Sequence, residues 1–166
     1  MKGYEEPSKE YLDKDFETCV LEKDPECTYI SGTDTEDYPG DHRSQILQFC
    51  GHDPQCRIFN NPVALAMAKE NVEKFYPVVG ITENMNMTLD VMDKIMPEYF
   101  EGAKETYYAE KEVERMQFRN KEKPVISEKI KDLVRANFTL ELEFYQFLKQ
   151  RLQTQFDELS AKLLMP

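Results

Sequence analysis

Residues 60–83 read NNPVALAMAKENVEKFYPVVGITE, and this stretch decides how the fold is interpreted. Asn61 can accept backbone hydrogen bonds at a helix start and Pro62 suits a first turn, so a helix is predicted to follow. The apolar residues along one side of this helix are Val63, Met67, Val72 and Phe75. The next apolar run, residues 76–80, contains β-branched valines and ends at Gly80, which predicts a buried strand.

A second helix is predicted within residues 86–100, NMTLDVMDKIMPEYF. Its apolar residues recur at helical spacing, and Pro97 then ends or kinks the element. Those apolar residues are Leu89, Met92, Ile95 and Met96. Helix, strand and helix therefore alternate, a pattern typical of an α/β fold.

The C-terminal part predicts two helices from Ser127 onward. Residues 130–134 begin a first apolar stripe, and Asn137 can cap a second helix after a break near residues 136–137. The second stripe contains Phe138, Tyr145, Leu148, Leu152, Phe156, Leu159 and Leu163. Its width favours core packing over a coiled-coil seam, and a homo-oligomer is compatible with either.

Residues 1–41 are strongly acidic. They contain thirteen Asp and Glu residues against four Lys, a local charge of −9 within a total of −11. This charge opposes broad contact with nucleic acid or anionic lipid, so we expect no nucleic-acid partner and an anion site only later in the chain. Few apolar positions occur here, which predicts loop with short helical pieces, one of them within residues 11–20.

The four cysteines form two local pairs, Cys19 with Cys27 and Cys50 with Cys56. Each pair encloses an Asp-Pro turn, which favours closure by a disulfide. Zinc bound by the second pair with His52 is the alternative, although the ligand spacing is poor, and free buried thiols are a third possibility.

Two glycosylation sequons support an oxidising compartment. Asn86-Met87-Thr88 and Asn137-Phe138-Thr139 both fit N-x-[ST] without an intervening proline. No apolar run reaches the length of a membrane span, and the N-terminus lacks the apolar centre of a secretory signal. A secretory protein with this sequence would take its targeting segment from outside these residues.

A search for catalytic motifs finds no phosphate loop, dinucleotide fingerprint, nucleophile elbow or zinc-protease motif. The two histidines are His42 and His52, and the position of His52 within a cysteine loop favours a structural hydrogen bond over acid–base work. One basic stretch, KEVERMQFRNKEKPVIS at 111–127, places Arg119, an amide and Lys121 side by side, which suits phosphate or sulfate. A mixed-charge surface loop is the alternative interpretation.

Five motifs in order resemble the C-terminal part of the glycosaminoglycan uronyl 2-O-sulfotransferases, over residues 11–157. They are FETCVLEKDPEC (16–27), FCGHDPQC (49–56), ALAMAKENVEKFYPVVGITENM (64–85), MPEYFEGA (96–103) and LELEFYQFLKQRL (140–152). This resemblance implies a mainly helical part of a P-loop-like α/β fold, with few strands and a long C-terminal helix. It also implies that both local cysteine pairs are disulfides.

The resemblance further implies a Golgi-luminal enzyme that transfers sulfate from PAPS (3′-phosphoadenosine 5′-phosphosulfate) to the 2-hydroxyl of a uronic acid, without a metal. By position, Tyr107, Asn120, Lys121 and Lys123 would approach the nucleotide, and Arg119 the acidic sugar of a glycosaminoglycan acceptor. Contact with a membrane would come only through an N-terminal anchor outside these residues.

The family's phosphosulfate loop with its lysine, and its histidine base, have no counterpart in this sequence. We therefore expect 1–166 to be a partial sulfotransferase domain with no catalytic residue of its own. Its expected parts are an acidic segment at 1–41, a helix-strand-helix and nucleotide-lid segment at 42–126, and C-terminal helices at 127–166. The alternative is a noncatalytic binding module of the secretory pathway.

Overall fold

The computed structural model describes residue 9 and residues 13–34, 44–109 and 124–163, and these residues are mostly helical. The first four helices are α1 (Phe16–Leu21), α2 (Gln45–Cys50), α3 (Pro62–Phe75) and α4 (Met85–Ile95). They are followed by α5 (Pro97–Phe100), a helix at 103–109 named α6, α7 (Glu128–Asn137) and α8 (Thr139–Leu163). Short 3₁₀ turns lie at Pro25–Cys27, Pro54–Arg57 and Thr82–Asn84.

Both cysteine pairs are disulfides, as predicted, with Cα atoms 5.8 Å apart for Cys19 and Cys27 and 5.6 Å apart for Cys50 and Cys56. Each pair closes a helix followed by a 3₁₀ turn. The aspartate before each proline caps its turn by accepting a backbone hydrogen bond two residues on, as Asx turns do. The zinc alternative is wrong for these cysteines, because a disulfide sulfur is not a thiolate ligand.

The helix predicted after Asn61 is confirmed as α3, with Pro62 in its first turn and the Asn61 side chain accepting from the Val63 amide. Its predicted buried face is partly wrong, because Val63 and Phe75 are 52% and 70% exposed. Val72 is buried as predicted, and the rest of the buried face is formed by Ala64, Leu65 and Ala68. These residues join the core cluster with residues of α2 and α8, and the small alanine side chains suit close packing.

The strand predicted at residues 76–80 is wrong. In the described residues the only β-pairing is a single bridge between Asp34 and Ile58, and a strand requires a partner along its length. Tyr76 and Ile81 at the two ends of this segment have extended backbone angles, and side chains donate to the carbonyls of Tyr76, Pro77 and Ile81. Arg151 donates to the Tyr76 carbonyl at 2.8 Å, and Gln155 donates to that of Pro77 at 2.8 Å.

Helix α4 holds the end of this extended segment. Thr88 is buried, and its hydroxyl accepts from the Ile81 amide at 2.9 Å and donates to the Ile81 carbonyl at 3.0 Å. A Cβ on Gly80 would clash with the Thr88 methyl group, so glycine is required for this approach. The predicted break at Pro97 is confirmed, since α4 ends at Ile95 and α5 begins at Pro97.

The two C-terminal helices are confirmed, and they separate at Phe138. The predicted capping role of Asn137 is wrong, because its side chain points back along α7 and donates to the Leu133 carbonyl at 3.3 Å. Core packing of α8 is confirmed. Its buried residues are Phe144, Leu148 and Leu152, which join the apolar cluster formed with α2, α3 and α4.

The mainly helical character and the long C-terminal helix are therefore as predicted, whereas the helix–strand–helix alternation is not found in the described residues. None of the helices in this part of the chain has both the length and the apolar composition that a membrane crossing requires.

Candidate functional site

The predicted nucleotide segment begins on α6, which is fixed to α4 by two polar contacts. The Lys104 ammonium contacts both carboxylate oxygens of Asp90, at 2.7 and 2.9 Å. The hydrogen bond to Asp90 raises the pKa of Lys104, so this ammonium stays charged at neutral pH. One helical turn later, the Tyr108 hydroxyl donates to the Asn86 side-chain oxygen at 2.8 Å.

Tyr107 lies between these two contacts and is half-buried. Its ring meets that of Tyr108 edge to face, with centroids 5.1 Å apart and an interplanar angle of 84°. The turn before α6 depends on Gly102, whose φ of +74° is costly for residues with a side chain. The motif FEGA thus sets the direction of α6, and the contacts to α4 fix its position.

The other predicted site residues, Arg119, Asn120, Lys121 and Lys123, lie outside the described residues. The chain on either side of them is anchored. Before the gap, α6 is held by Asp90, and after it the Ser127 amide donates to the Glu17 carboxylate on α1. Helix α1 also packs against α7, so the cysteine loop at 19–27 supports the far end of the segment.

A groove of about 300 Å³ lies beside residues 76–81. It is lined by Val79, Gly80 and Ile81 and by residues of α8. It contains two carboxylates, Glu83 and Glu141. Burial raises the pKa of the Tyr145 phenol at this groove, and the neighbouring Glu83 carboxylate adds to the shift. The two carboxylates oppose sulfate or phosphate binding by charge repulsion, so this groove is a poor anion site.

Glu141 has a structural role there that the sequence interpretation missed. Its carboxylate accepts from the Ser44 hydroxyl at 2.5 Å and from the Gln45 amide at 2.9 Å, at the N-terminus of α2. An acidic side chain at a helix N-terminus is favourable because it meets unpaired amides and the positive end of the dipole. No local signal predicts this contact, since the partners are 97 and 96 residues apart.

The described histidine, His52, is exposed at an open groove that Phe49, Phe75 and Tyr76 also line, rather than enclosed by the cysteine loop. His42 lies outside the described residues. Across residues 13–34, 44–109 and 124–163, no group of three His, Cys, Asp or Glu side chains is arranged to hold a metal ion.

Comparison with known proteins places the chain among glycosaminoglycan sulfotransferases. It is 41% identical over 155 residues to the Drosophila melanogaster uronyl 2-sulfotransferase homolog pip. The aligned region covers 93% of this chain and 30% of that protein. It is 31% identical over 129 residues to the Gallus gallus heparan sulfate 2-O-sulfotransferase 1, covering 77% of the chain and 35% of the relative. The human heparan sulfate 2-O-sulfotransferase 1 is 28% identical over 141 residues, with 84% and 36% covered.

These matches confirm the family that the motifs predicted: over most of its length the chain is similar to the uronyl 2-O-sulfotransferases. The chain spans about a third of the length of the curated relatives it matches, as the 30% and 35% shares show. No family model matches it.

Proposed function

We propose that this chain is part of a PAPS-dependent sulfotransferase that acts on the 2-hydroxyl of a uronic acid in heparan- or dermatan-like glycans. The observation that carries the proposal is the 41% identity to the pip protein over 93% of the chain. In this proposal the chain supplies the acceptor-side wall and part of the nucleotide lid of a P-loop-like fold. The segment that follows PEYFEGA helps enclose the nucleotide in this proposal.

Among the residues proposed to bind the nucleotide, Tyr107 is the one that the structure describes. A half-buried aromatic ring on an anchored helix fits a purine face, because stacking needs a flat surface whose position is fixed. In the proposal Asn120, Lys121 and Lys123 bind the adenosine bisphosphate, and Arg119 binds the uronate through a charge-assisted bidentate contact. PAPS, when bound, supplies the sulfuryl group.

Sulfate transfer also needs a base for the attacking hydroxyl and cations for the developing charge. In this proposal the chain contributes cations. The described histidine, His52, lies at a groove lined by residues of α2 and α3 and by none of α6, so we assign it no role as the base. We therefore propose that 1–166 alone is inactive, and that a longer parent protein supplies the phosphosulfate loop and the histidine. The parent would work in the Golgi lumen behind an N-terminal membrane anchor.

A second candidate is a noncatalytic binding module of the secretory pathway. It is supported by the apolar cluster that α2, α3, α4 and α8 form, with no sheet in the described part of the chain. A scaffold with its own core and two disulfides can persist after the chemistry is lost.

A domain exchange separates the two candidates. The 155-residue matching region of the pip protein is replaced by this chain, and the hybrid is assayed for adenosine 3′,5′-bisphosphate binding and for sulfate transfer from PAPS. The sulfotransferase proposal predicts both activities, and Arg119→Ala in the hybrid should reduce transfer while sparing nucleotide binding. A folded hybrid that binds no nucleotide would contradict the proposal and favour the binding module.

A further inference from the structure

An open groove of about 540 Å³ lies between the first cysteine loop and α7. We call it the loop–helix groove, and its volume is within the ~300–1,000 Å³ range of ligand pockets. Its walls are largely apolar, and several of the apolar side chains are exposed to solvent. Leu21, Ile30 and Leu133 line it and are 58%, 43% and 44% exposed.

The wall of this groove also contains Asn137, the acceptor residue of a glycosylation sequon. The sequon lies at the junction of α7 and α8, and its three residues differ in exposure. Asn137 and Thr139 are exposed, whereas the Phe138 ring between them packs on Tyr29, with centroids 4.4 Å apart, and on Phe59, at 5.3 Å. The packed, partly buried ring fixes the position of the sequon, and both residues required for modification are exposed.

Asn60 holds the same junction in place. Its carboxamide nitrogen donates to the Asn137 carbonyl at 2.6 Å and to the Ser31 hydroxyl at 2.9 Å. The Asn137 side chain makes one contact, through its Nδ2, to the Leu133 carbonyl at 3.3 Å. A glycosylated asparagine keeps one N–H, so this contact survives modification.

We propose that Asn137 carries an N-linked glycan whose first N-acetylglucosamine units lie in the loop–helix groove. The Nδ2 atom forms a bond to the anomeric carbon of a polyprenyl-pyrophosphate-linked oligosaccharide and loses one proton. The bond from that carbon to the pyrophosphate oxygen breaks, and the polyprenyl pyrophosphate leaves. The proposal rests on the secretory location included in the proposed function.

The groove suits this occupant chemically. N-acetylglucosamine is neutral, presents apolar ring faces and an acetamide methyl group, and also requires hydrogen-bonding partners. The apolar side chains of Ile30 and Leu133 offer contact for the sugar's apolar ring faces and methyl group. Lys23 and Thr28 on the groove wall offer polar groups for its hydrogen bonds. Attachment at the wall removes most of the entropy cost of binding.

The other sequon provides an internal contrast. Thr88 is buried, and both polar functions of its hydroxyl are used by the Ile81 backbone. Asn86 can therefore be modified only before α4 folds, whereas Asn137 remains accessible afterwards. We expect Asn137 to be modified more completely than Asn86.

The test expresses the whole chain behind a signal sequence in a eukaryotic host and measures glycan occupancy by peptide mass spectrometry. This design does not depend on sulfotransferase activity. Thr139→Ser keeps the sequon and Thr139→Ala removes it, and Asn137→Gln provides a second sequon-null variant. An unmodified Asn137 in the Thr139→Ser protein would overturn the proposal.

Hydroxyl-radical labelling then locates the glycan. Side-chain oxidation follows exposed area, so labelling of Leu21, Ile30 and Leu133 should be about threefold lower in Thr139→Ser than in Thr139→Ala. Phe75, 70% exposed on α3, should be labelled equally in both. Equal labelling of the groove residues in both variants would also overturn the proposal. This result would include the case in which a second copy of the chain, or residues 1–12, protects the groove equally in both variants.

Discussion

Glu141 on the long C-terminal helix accepts a hydrogen bond from the hydroxyl of Ser44, 97 residues earlier in the chain, at 2.5 Å. The same carboxylate accepts from the Gln45 and Ile46 amides at 2.9 and 3.3 Å, so it caps α2 from outside. Ser44 is itself buried and also accepts from the Leu47 amide. This contact joins the second cysteine loop to α8.

Glu141→Gln should therefore destabilise the fold by about 1–2 kcal/mol, because an amide keeps one acceptor but loses the charge that faces the helix N-terminus. Urea unfolding measures the change. Glu143→Gln is the matched control on the same helix. Its carboxylate is 54% exposed and pairs with Lys69, so it should cost less than about 1 kcal/mol. Equal losses in the two variants would contradict the capping role.

Local signals in the sequence predicted those parts of the fold that short-range chemistry decides. Asp-Pro turns predicted both disulfides, Asn61-Pro62 predicted the start of α3, and Pro97 predicted the end of α4. Each of these depends on neighbours within about ten residues, where turn and cap chemistry acts.

Contacts between distant segments explain the failures. The apolar run at 76–80 has the composition of a strand, but its carbonyls meet Arg151 and Gln155 rather than another strand. Likewise, Val63 and Phe75 are apolar yet exposed, because the side of α3 that packs into the core contains Ala64, Ala68 and Val72. The apolar pattern of one segment does not show which distant segment it will pack against. Within the candidate site, the basic stretch with Arg119 and Lys121 indicated an anion site by its pattern, whereas Tyr107 and the role of each residue were predicted only through the family resemblance.

Lys104 and Tyr108 are expected to act as positioning residues, since they hold α6 and with it Tyr107. In a parent protein that includes the upstream half, Lys104→Ala should raise the Kd for adenosine 3′,5′-bisphosphate by about threefold to tenfold. The KM for the glycan acceptor should stay the same. Lys94→Ala, which removes an exposed contact to Asp93, is the control and should leave both constants unchanged. A Kd unchanged by Lys104→Ala would show that α6 does not position the nucleotide.

The first cysteine loop should weaken in acid. The hydrogen bond from Lys14 lowers the pKa of the Asp24 carboxyl, and the Thr18 amide lowers that of Asp15. A lowered folded-state pKa means that the ionised form stabilises the fold above the ordinary aspartate pKa. This stabilisation is lost as pH falls through the lowered value.

Melting temperatures of the wild type and Asp24→Asn, measured from pH 6 to pH 2, report this loss. They should differ at about pH 6 and converge toward pH 2, since both then lack the charge. Salt should shrink the difference, because the pair with Lys14 is partly exposed. A gap that widens as pH falls would contradict the assigned sign.

Arg119 and Lys121 are predicted to be the main anion contacts once the upstream half is present. A charge-assisted hydrogen bond contributes roughly 1.5–3 kcal/mol, so Arg119→Ala and Lys121→Ala should each weaken acceptor or PAPS use by about tenfold or more. Lys149→Ala, at an exposed position on α8, is the control for lost surface charge. Steady-state kinetics that are unchanged in both site variants would remove the assignment.

The most direct test of the account is a sulfate-transfer assay with ³⁵S-labelled PAPS and desulfated heparan or dermatan chains. Purified 1–166 is compared with a protein that adds the upstream region found in its longer relatives. The account predicts label in the glycan with the extended protein and none above background with 1–166, because it assigns the phosphosulfate loop and the base to the upstream region. Transfer by 1–166 at a rate near that of the extended protein would contradict the account.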